Sequence, residues 1–369
     1  MTPNETASPQ RCLITGGAGF IGSHLADALV ARGDDVVILD NLSSGSHANL
    51  ERLTALDFRE GSTADERLVD ELVAEADVVF HLASAVGVKL IVERPLDSLL
   101  GNVRGTDHVL CSAARHRRKV LFTSTSEVYG KNSIGALTED ADHVLGSPFK
   151  SRWAYAIAKG FGEALAHGLF QAHDAQVVVA RLFNCVGPRQ SGQYGMVLPR
   201  FVRQALAGDD LTVFGNGTQT RCFLHVADTV QALLDLTDSQ QSVGKVFNVG
   251  SDTELPIIEL ARRVIERTGS GSRVELVPYE DAYGEGFEEL GRRKPDTTAI
   301  RNLTGWAPTR TIDDAIDDVI LHERGRASRR GGAAVATRGP SADGHRHCRG
   351  DGLLVHAAGD PGRRPLPVL

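Results

Sequence analysis

Eight residues near the start of the chain constrain its fold most. Thr15-Gly16-Gly17-Ala18-Gly19-Phe20-Ile21-Gly22 follow directly on the β-branched run Arg11–Thr15 and open a stretch, Phe20–Arg32, with apolar residues at helical spacing. Such a loop makes sense only between a strand and a helix. Gly16 permits the tight turn, Gly19 lets backbone amides approach a pyrophosphate at the helix N-terminus, and Gly22 lets the helix pack close to the sheet. The spacing is G-x-x-G-x-x-G, one residue longer than the usual dinucleotide loop. Phe20 and Ile21 belong to the same nucleotide-facing turn.

A second β-branched run, Asp35–Asp40, completes a βαβ unit and ends on Asp40, 18 residues after Gly22. A carboxylate there accepts hydrogen bonds from the adenosine ribose hydroxyls and repels a 2′-phosphate, which favours NAD over NADP. The local alternative is a turn residue preceding Asn41.

The alternation continues. Apolar runs at 77–83, 119–124 and 176–182 are interleaved with helical patterns at 64–76, 105–116 and 153–173. Continuous Val/Ile/Leu runs predict a parallel sheet covered on both faces, an α/β doubly wound fold of Rossmann type. After about Gly187 the texture changes to Pro, Gly and polar clusters around shorter elements. The expected organisation is a nucleotide-binding domain over 1–190 with strands returning from the C-terminal half, a smaller α/β lobe over 191–325 that closes over a ligand, and a tail over 326–369.

That tail has 8 Arg, 3 Asp and no Lys or Glu, with dense Gly and Pro, so it is expected to be disordered or loosely docked. His345, His347 and Cys348 lack a fourth ligand for a metal site, and no metal is expected. The whole chain of 369 residues carries a net charge of −7, the wrong sign for coating nucleic acid. Its five cysteines are scattered and never spaced C-x-x-C, which argues against a disulfide framework. No apolar run approaches membrane-spanning length and no leader pattern precedes the glycine loop, so a reduced cytoplasm is the expected compartment.

Tyr155-Ala156-Ile157-Ala158-Lys159 lies in a strongly helical stretch, which puts Tyr155 and Lys159 at i and i+4 on one face. An ammonium beside a phenol favours the phenolate and is expected to pull the Tyr155 pKa toward neutrality, so that it takes a hydroxyl proton; Lys159 can also bind the nicotinamide ribose. The fifth strand ends in Ser124-Thr125-Ser126-Glu127, at the same edge of the sheet. The hydroxyls of Ser124, Thr125 and Ser126 can hydrogen-bond the substrate oxygen that Tyr155 deprotonates. Glu127 is placed for a second proton transfer, the bland alternative being a helix-start carboxylate.

The chain resembles the extended short-chain dehydrogenase/reductases that act on nucleotide sugars, across about residues 10–322. The markers are TGGAGFIGSHL, Asp40-Asn41, FHLAS with Leu82 and Ala83, STSEVYG, YAIAK, RLFNCVGPRQ and the late Gly305-Trp306. Within that family STSEVYG, KSRWAYAIAK and AYGEGFEELGRRKPD are most similar to UDP-glucuronate decarboxylases. The resemblance implies an NAD cofactor bound in part by Leu82, Ala83 and Ser124, a UDP-sugar substrate, and a homodimer formed through four-helix packing. It matches Ser126, Glu127, Tyr155, Lys159 and Arg293 to the catalytic set, and Asn184 and Arg221 to contacts with UDP.

Two features leave alternatives open. Gly61-Ser62 stands where relatives have Gly-Asp, so the adenine contact is weakened or moved to Asp65. The Tyr-Lys-hydroxyl set also serves 4-epimerases, and a Glu beside Ser or Thr also occurs in dehydratases. A non-catalytic nucleotide-binding protein on this fold would have no need of an ionisable Tyr-Lys face.

Overall fold

A computed structural model describes residues 8–53, 56–85, 95–132, 134–150, 153–192, 196–278 and 292–336. The stretch 282–291 of the decarboxylase-like motif, Ser151, Arg152, His345, His347 and Cys348 lie outside them.

Strands β1 (Arg11–Thr15), β2 (Asp35–Asp40), β3 (Leu56–Glu60), β4 (Val78–His81), β5 (Lys119–Thr125), β6 (Val177–Leu182) and β10 (Val246–Val249) form one sheet in the order β10-β6-β5-β4-β1-β2-β3, and every neighbouring pair in it is parallel. The direction of winding reverses between β1 and β4. That switch point opens a crevice at the carboxyl ends of the strands. β10 is the strand that returns from the C-terminal half.

Side chains alternate across the sheet, so each strand feeds two cores. Cys12 and Ile14 face α1 (Phe20–Arg32), α6 (Val226–Asp238) and α8 (Thr298–Thr304), packing with Leu25, Leu29, Leu233, Ile300 and Trp306. Leu13, Val79, Val120 and Phe122 face α2 (Glu66–Glu75), α3 (Pro95–Arg115) and α4 (Ala154–His173), packing with Val69, Val73, Leu110 and Ala166. Trp306 also donates from Nε1 to the Asp228 carbonyl at 3.0 Å, which ties the segment after α8 to α6.

A third core lies under the later elements. There α5 (Val197–Ala207), α7 (Ile257–Thr268) and the first turns, 312–320, of α9 (Ile312–Ala336) cover β8 (Leu211–Phe214), which pairs with β12 (Val274–Val277), and β9 (Thr220–His225), which lies between β7 (Asn184–Val186) and β11 (Glu254–Pro256). Helix α7 shows why. Ile257, Leu260, Ala261 and Val264 recur at three- and four-residue spacing and are all buried. At about 1.5–3 kcal/mol per fully buried Ile, Leu or Val, that stripe holds the helix down, and an aspartate at Leu260 would release it.

Contacts divide the chain into 1–326 and 327–369. The first unit holds both the main sheet and the later elements. The second is described as far as Ala336, as helix, past the boundary expected at Gly325. Its Ala- and Arg-rich start favours helix, and the first proline beyond it is Pro340.

Candidate active site

One cavity of about 790 Å3 occupies the crevice at the switch point. Its walls bring together these residues singled out from the sequence: Gly16, Gly19, Phe20, Ile21 and Gly22; Asp40 and Asn41; Leu82 and Ala83; Ser124 to Glu127; Tyr155 and Lys159; Asn184, Arg221 and Arg293.

At one end the backbone itself makes the site. Gly16 has φ +75°, and a Cβ there would stand 2.8 Å from the Ala83 nitrogen; a Cβ on Gly22 would stand 2.2 Å from the Gly16 carbonyl oxygen. No other residue fits either position. Gly19 caps α1 without a side-chain acceptor, and no acidic residue occupies the first turn, so the amides there remain suited to an anion. Asp40 is buried and accepts from the Ala18 amide at 2.9 Å and the Leu42 amide at 2.8 Å. It thus stabilises both the glycine loop and its own turn, as the turn reading expects, and it also lines the cavity. Ser62 and Thr63 reach the cavity, whereas Asp65 caps α2 by accepting from the Leu68 amide at 3.1 Å and takes no part in lining it. A loop shaped for a pyrophosphate, followed by a carboxylate at ribose distance in sequence, fits a dinucleotide.

The reacting end is drier. Lys159 is 2% exposed, and its ammonium donates to the Thr123 carbonyl at 2.9 Å and lies 4.8 Å from the centre of the Phe122 ring. Burial draws its pKa down to about 7, against the opposing pull of Glu163. The expectation of a Tyr155 acidified by this lysine is not met here. Burial pushes the phenol pKa up, the Ser84 hydroxyl brings it part of the way back, and the Glu127 charge adds to the rise. The physical reason is that Lys159 bonds to a carbonyl, 5.9 Å from the Tyr155 ring centre, while desolvation acts on the phenol directly.

The three hydroxyls at the end of β5 divide. Ser124 donates to the Glu163 carboxylate, and Thr125 accepts from the Glu127 amide at 3.2 Å, capping the short turn Ser126–Tyr129. Ser126 faces Arg293, whose Nη1 lies 3.5 Å from the Ser126 Oγ and 3.2 Å from the Glu127 Oε1. Glu127 is therefore more than a helix-start carboxylate. Arg293 is 7% exposed and its Nε finds no hydrogen-bond partner among the described residues. A buried N–H left unpaired costs about 1–3 kcal/mol, and an acceptor entering the cavity would recover it. Asn184 Oδ1 and Gln190 Oε1, in the same wall, are buried without a partner among the described residues.

Sequence reasoning missed several members. Ser84 reaches Tyr155, Arg200 stacks on Phe214 at 4.2 Å where both line the cavity, and Glu163 joins Ser124 to Arg181. The signal for Glu163 was present: a carboxylate one turn beyond Lys159 on the helix face that also carries the apolar residues.

Residues 12–250 match the NAD dependent epimerase/dehydratase family. The chain is 42% identical over 313 residues, 84% of its length and 97% of the relative's, to the UDP-N-acetyl-alpha-D-glucosaminuronate decarboxylase of Bacillus cytotoxicus. It is 34% identical over 316 residues, 85% of its length and 72% of the relative's, to UDP-glucuronic acid decarboxylase 1 of Xenopus tropicalis. Among solved structures it is similar to the UDP-glucuronic acid 4-epimerase of Bacillus cereus in complex with UDP-glucuronic acid and NAD, with a TM-score of 0.77, 26% identity, and 86% of this chain and 99% of that one covered. Glycine loop, Tyr-Lys face and family match agree, and the chain belongs to the NAD dependent epimerase/dehydratase family.

Proposed function

We propose that this protein is an NAD-dependent decarboxylase of UDP-hexuronates, carrying UDP-glucuronate through a 4-keto intermediate to UDP-xylose or to the 4-keto pentose. The observation that carries the reading is Arg293, buried with an N–H unpaired among the described residues and paired with Glu127, in the cavity that also holds Tyr155. A 4-epimerase needs a base and a hydroxyl at C4. A guanidinium and a second carboxylate suit a sugar whose C6 is itself a carboxylate and whose C5 must gain a proton. The decarboxylases among the relatives support the same reading, with 4-epimerisation as the alternative.

Bound at the glycine loop, the dinucleotide would supply the hydride acceptor and later the donor for sugar C4, and a positive ring charge. Gly16, Gly19, Phe20, Ile21 and Gly22 would hold the pyrophosphate, Asp40 and Asn41 the adenosine ribose, and Leu82, Ala83 and Ser124 the nicotinamide half together with Lys159. Tyr155 removes the proton from the C4 hydroxyl, a step that requires nearby positive charge because its burial favours the neutral phenol. The resulting ketone lies β to the C6 carboxylate. The C5–C6 bond breaks, its electron pair passes into an enolate at O4, and CO2 leaves. Ser126 and Tyr155 hydrogen-bond that enolate oxygen, with Thr125 fixing the turn, and Glu127 assists proton delivery to C5. Arg293 orients the carboxylate, and its pairing with Glu127 keeps it from binding the ground state too tightly. Asn184 and Arg221 would hold the UDP.

The later elements, 191–325, would form the sugar-nucleotide side of the site and 1–190 the dinucleotide side. A homodimer through α3 and α4 is supported by Leu96, Leu100, Ile157 and Phe161, large apolar side chains exposed at four-residue spacing on these two packed helices. Among the described residues no helix is long and apolar enough to cross a membrane. The cysteines described, Cys12, Cys111, Cys185 and Cys222, are free thiols, which supports a reducing, cytoplasmic setting.

The test is incubation of the purified protein and NAD with UDP-glucuronate and with its 2-acetamido counterpart, followed by mass spectrometry. A product lighter by CO2 from either sugar is expected. Clean conversion to an isomer of unchanged mass would refute decarboxylation.

A further inference from the structure

Behind the cavity a chain of buried polar groups joins the two halves of the site. Glu163, one turn beyond Lys159 on α4, accepts from Ser124 and from Arg181, at 3.0 Å from Nε and 2.7 Å from Nη2. Arg181 Nη1 donates to the Tyr129 hydroxyl at 2.9 Å, and that hydroxyl donates to Asn248 Oδ1 at 2.7 Å. Asn248 Nδ2 then donates to two carbonyls, Leu137 at 2.9 Å and Asp296 at 3.1 Å. Leu137 pairs with the same segment through its own backbone, to Lys294 and from Asp296, both at 2.8 Å.

Asn248 and Tyr129 are fully buried and neither lines the cavity. Two carbonyls demand the amide nitrogen, and the Tyr129 hydroxyl then meets the amide oxygen, so the Asn248 side chain has a single satisfied orientation. The segment it grips begins immediately after Arg293. The other end of the chain grips the helix that carries Tyr155 and Lys159. On its outer side the segment is held by Arg292, which pairs with both oxygens of Glu254 at 2.8 and 2.7 Å.

We infer that Asn248, oriented by Tyr129, is a positioning residue for decarboxylation: it sets Arg293 against the Tyr155 face so that C4 oxidation and loss of the C6 carboxylate occur on one bound sugar. The inference rests on the decarboxylase reading above. A misplacement near 1 Å costs about a hundredfold in rate, and freeing one end of the network displaces Arg293 without touching the base that oxidises C4.

The experiment compares wild type, Tyr129→Phe and Asn248→Ser in a single turnover of the NAD-loaded protein with UDP-glucuronate. It reads the ratio of CO2 released to reduced nicotinamide formed, alongside the melting temperature. Both variants are expected to oxidise the sugar while that ratio falls by about tenfold or more. Should either fail to fold, Arg292→Ala, at the exposed edge of the same segment, reads the same ratio and should lower it. An unchanged ratio, or oxidation and CO2 release falling in parallel, would overturn the positioning role. No CO2 from wild type would overturn the decarboxylase reading and the inference together.

Discussion

Replacing Arg293 by methionine keeps much of its bulk and removes its charge and its donors. In the protein without substrate, the change breaks the 3.2 Å pair with Glu127 and the contact with Ser126. Removing one donor aimed at charge in a water-poor site costs about a hundred- to a thousandfold in turnover. The Arg293 side chain is 8% exposed but that of Glu127 is 18%, so solvent screens part of the field and the lower end applies. CO2 release from UDP-glucuronate should therefore fall about a hundredfold, near 2.7 kcal/mol. Arg293→Lys restores the charge as a point without the planar fork and should recover about tenfold of the loss. Oxidation at C4, followed as reduced nicotinamide in a single turnover, should change far less, because the Ser84 bond to Tyr155 and the Thr123 bond to Lys159 remain. Trapped CO2 and nicotinamide absorbance measured on one sample give both rates. Methionine at 293 with CO2 release within threefold of wild type would refute the assigned role.

Other outcomes follow from the same geometry. Gly22→Ala drives a Cβ to 2.2 Å from a backbone oxygen, so it should destabilise the protein by about 1–3 kcal/mol and weaken NAD binding at least tenfold, read by calorimetry against UDP-sugar binding as the control. The folded pKa of Lys159 is depressed to about 7 from 10.5, so across that window the unfolded chain binds the extra proton and stability of the ligand-free protein should rise with pH; urea unfolding at successive pH values should show the rise, and Lys159→Met should flatten it. Phe161→Arg, on the exposed face of α4, should shift the protein toward monomer in sedimentation or light scattering with its fold intact by circular dichroism.

Local patterns carried the fold into the sequence. The glycine loop, the β-branched runs and the i, i+4 pairing of Tyr155 with Lys159 each reflect one strand, one turn or one helix face, and the structure assembles them into the expected parallel sheet and a single cavity. What was not legible depends on partners far apart in the chain. The Tyr129–Asn248 bond spans 119 residues and the Asn248–Leu137 bond 111, and nothing in VFNVG marks an asparagine with both side-chain polar atoms engaged. The state of Tyr155 was misread for the same reason. Helical spacing places an ammonium near the phenol, but only the packed interior shows that burial outweighs it and that Thr123 claims the ammonium. The departure at Gly61-Ser62 likewise needed the structure, which keeps Asp65 at its helix cap.

The most direct measurement supplies UDP-glucuronate and its 2-acetamido counterpart labelled at C6 to the NAD-loaded protein and counts label in gas and in sugar. If Arg293 and Glu127 do what their placement beside Tyr155 implies, label from one of the two leaves as CO2 in step with each pentose formed. Label retained wholly in the nucleotide sugar, with C4 inverted, would contradict the account.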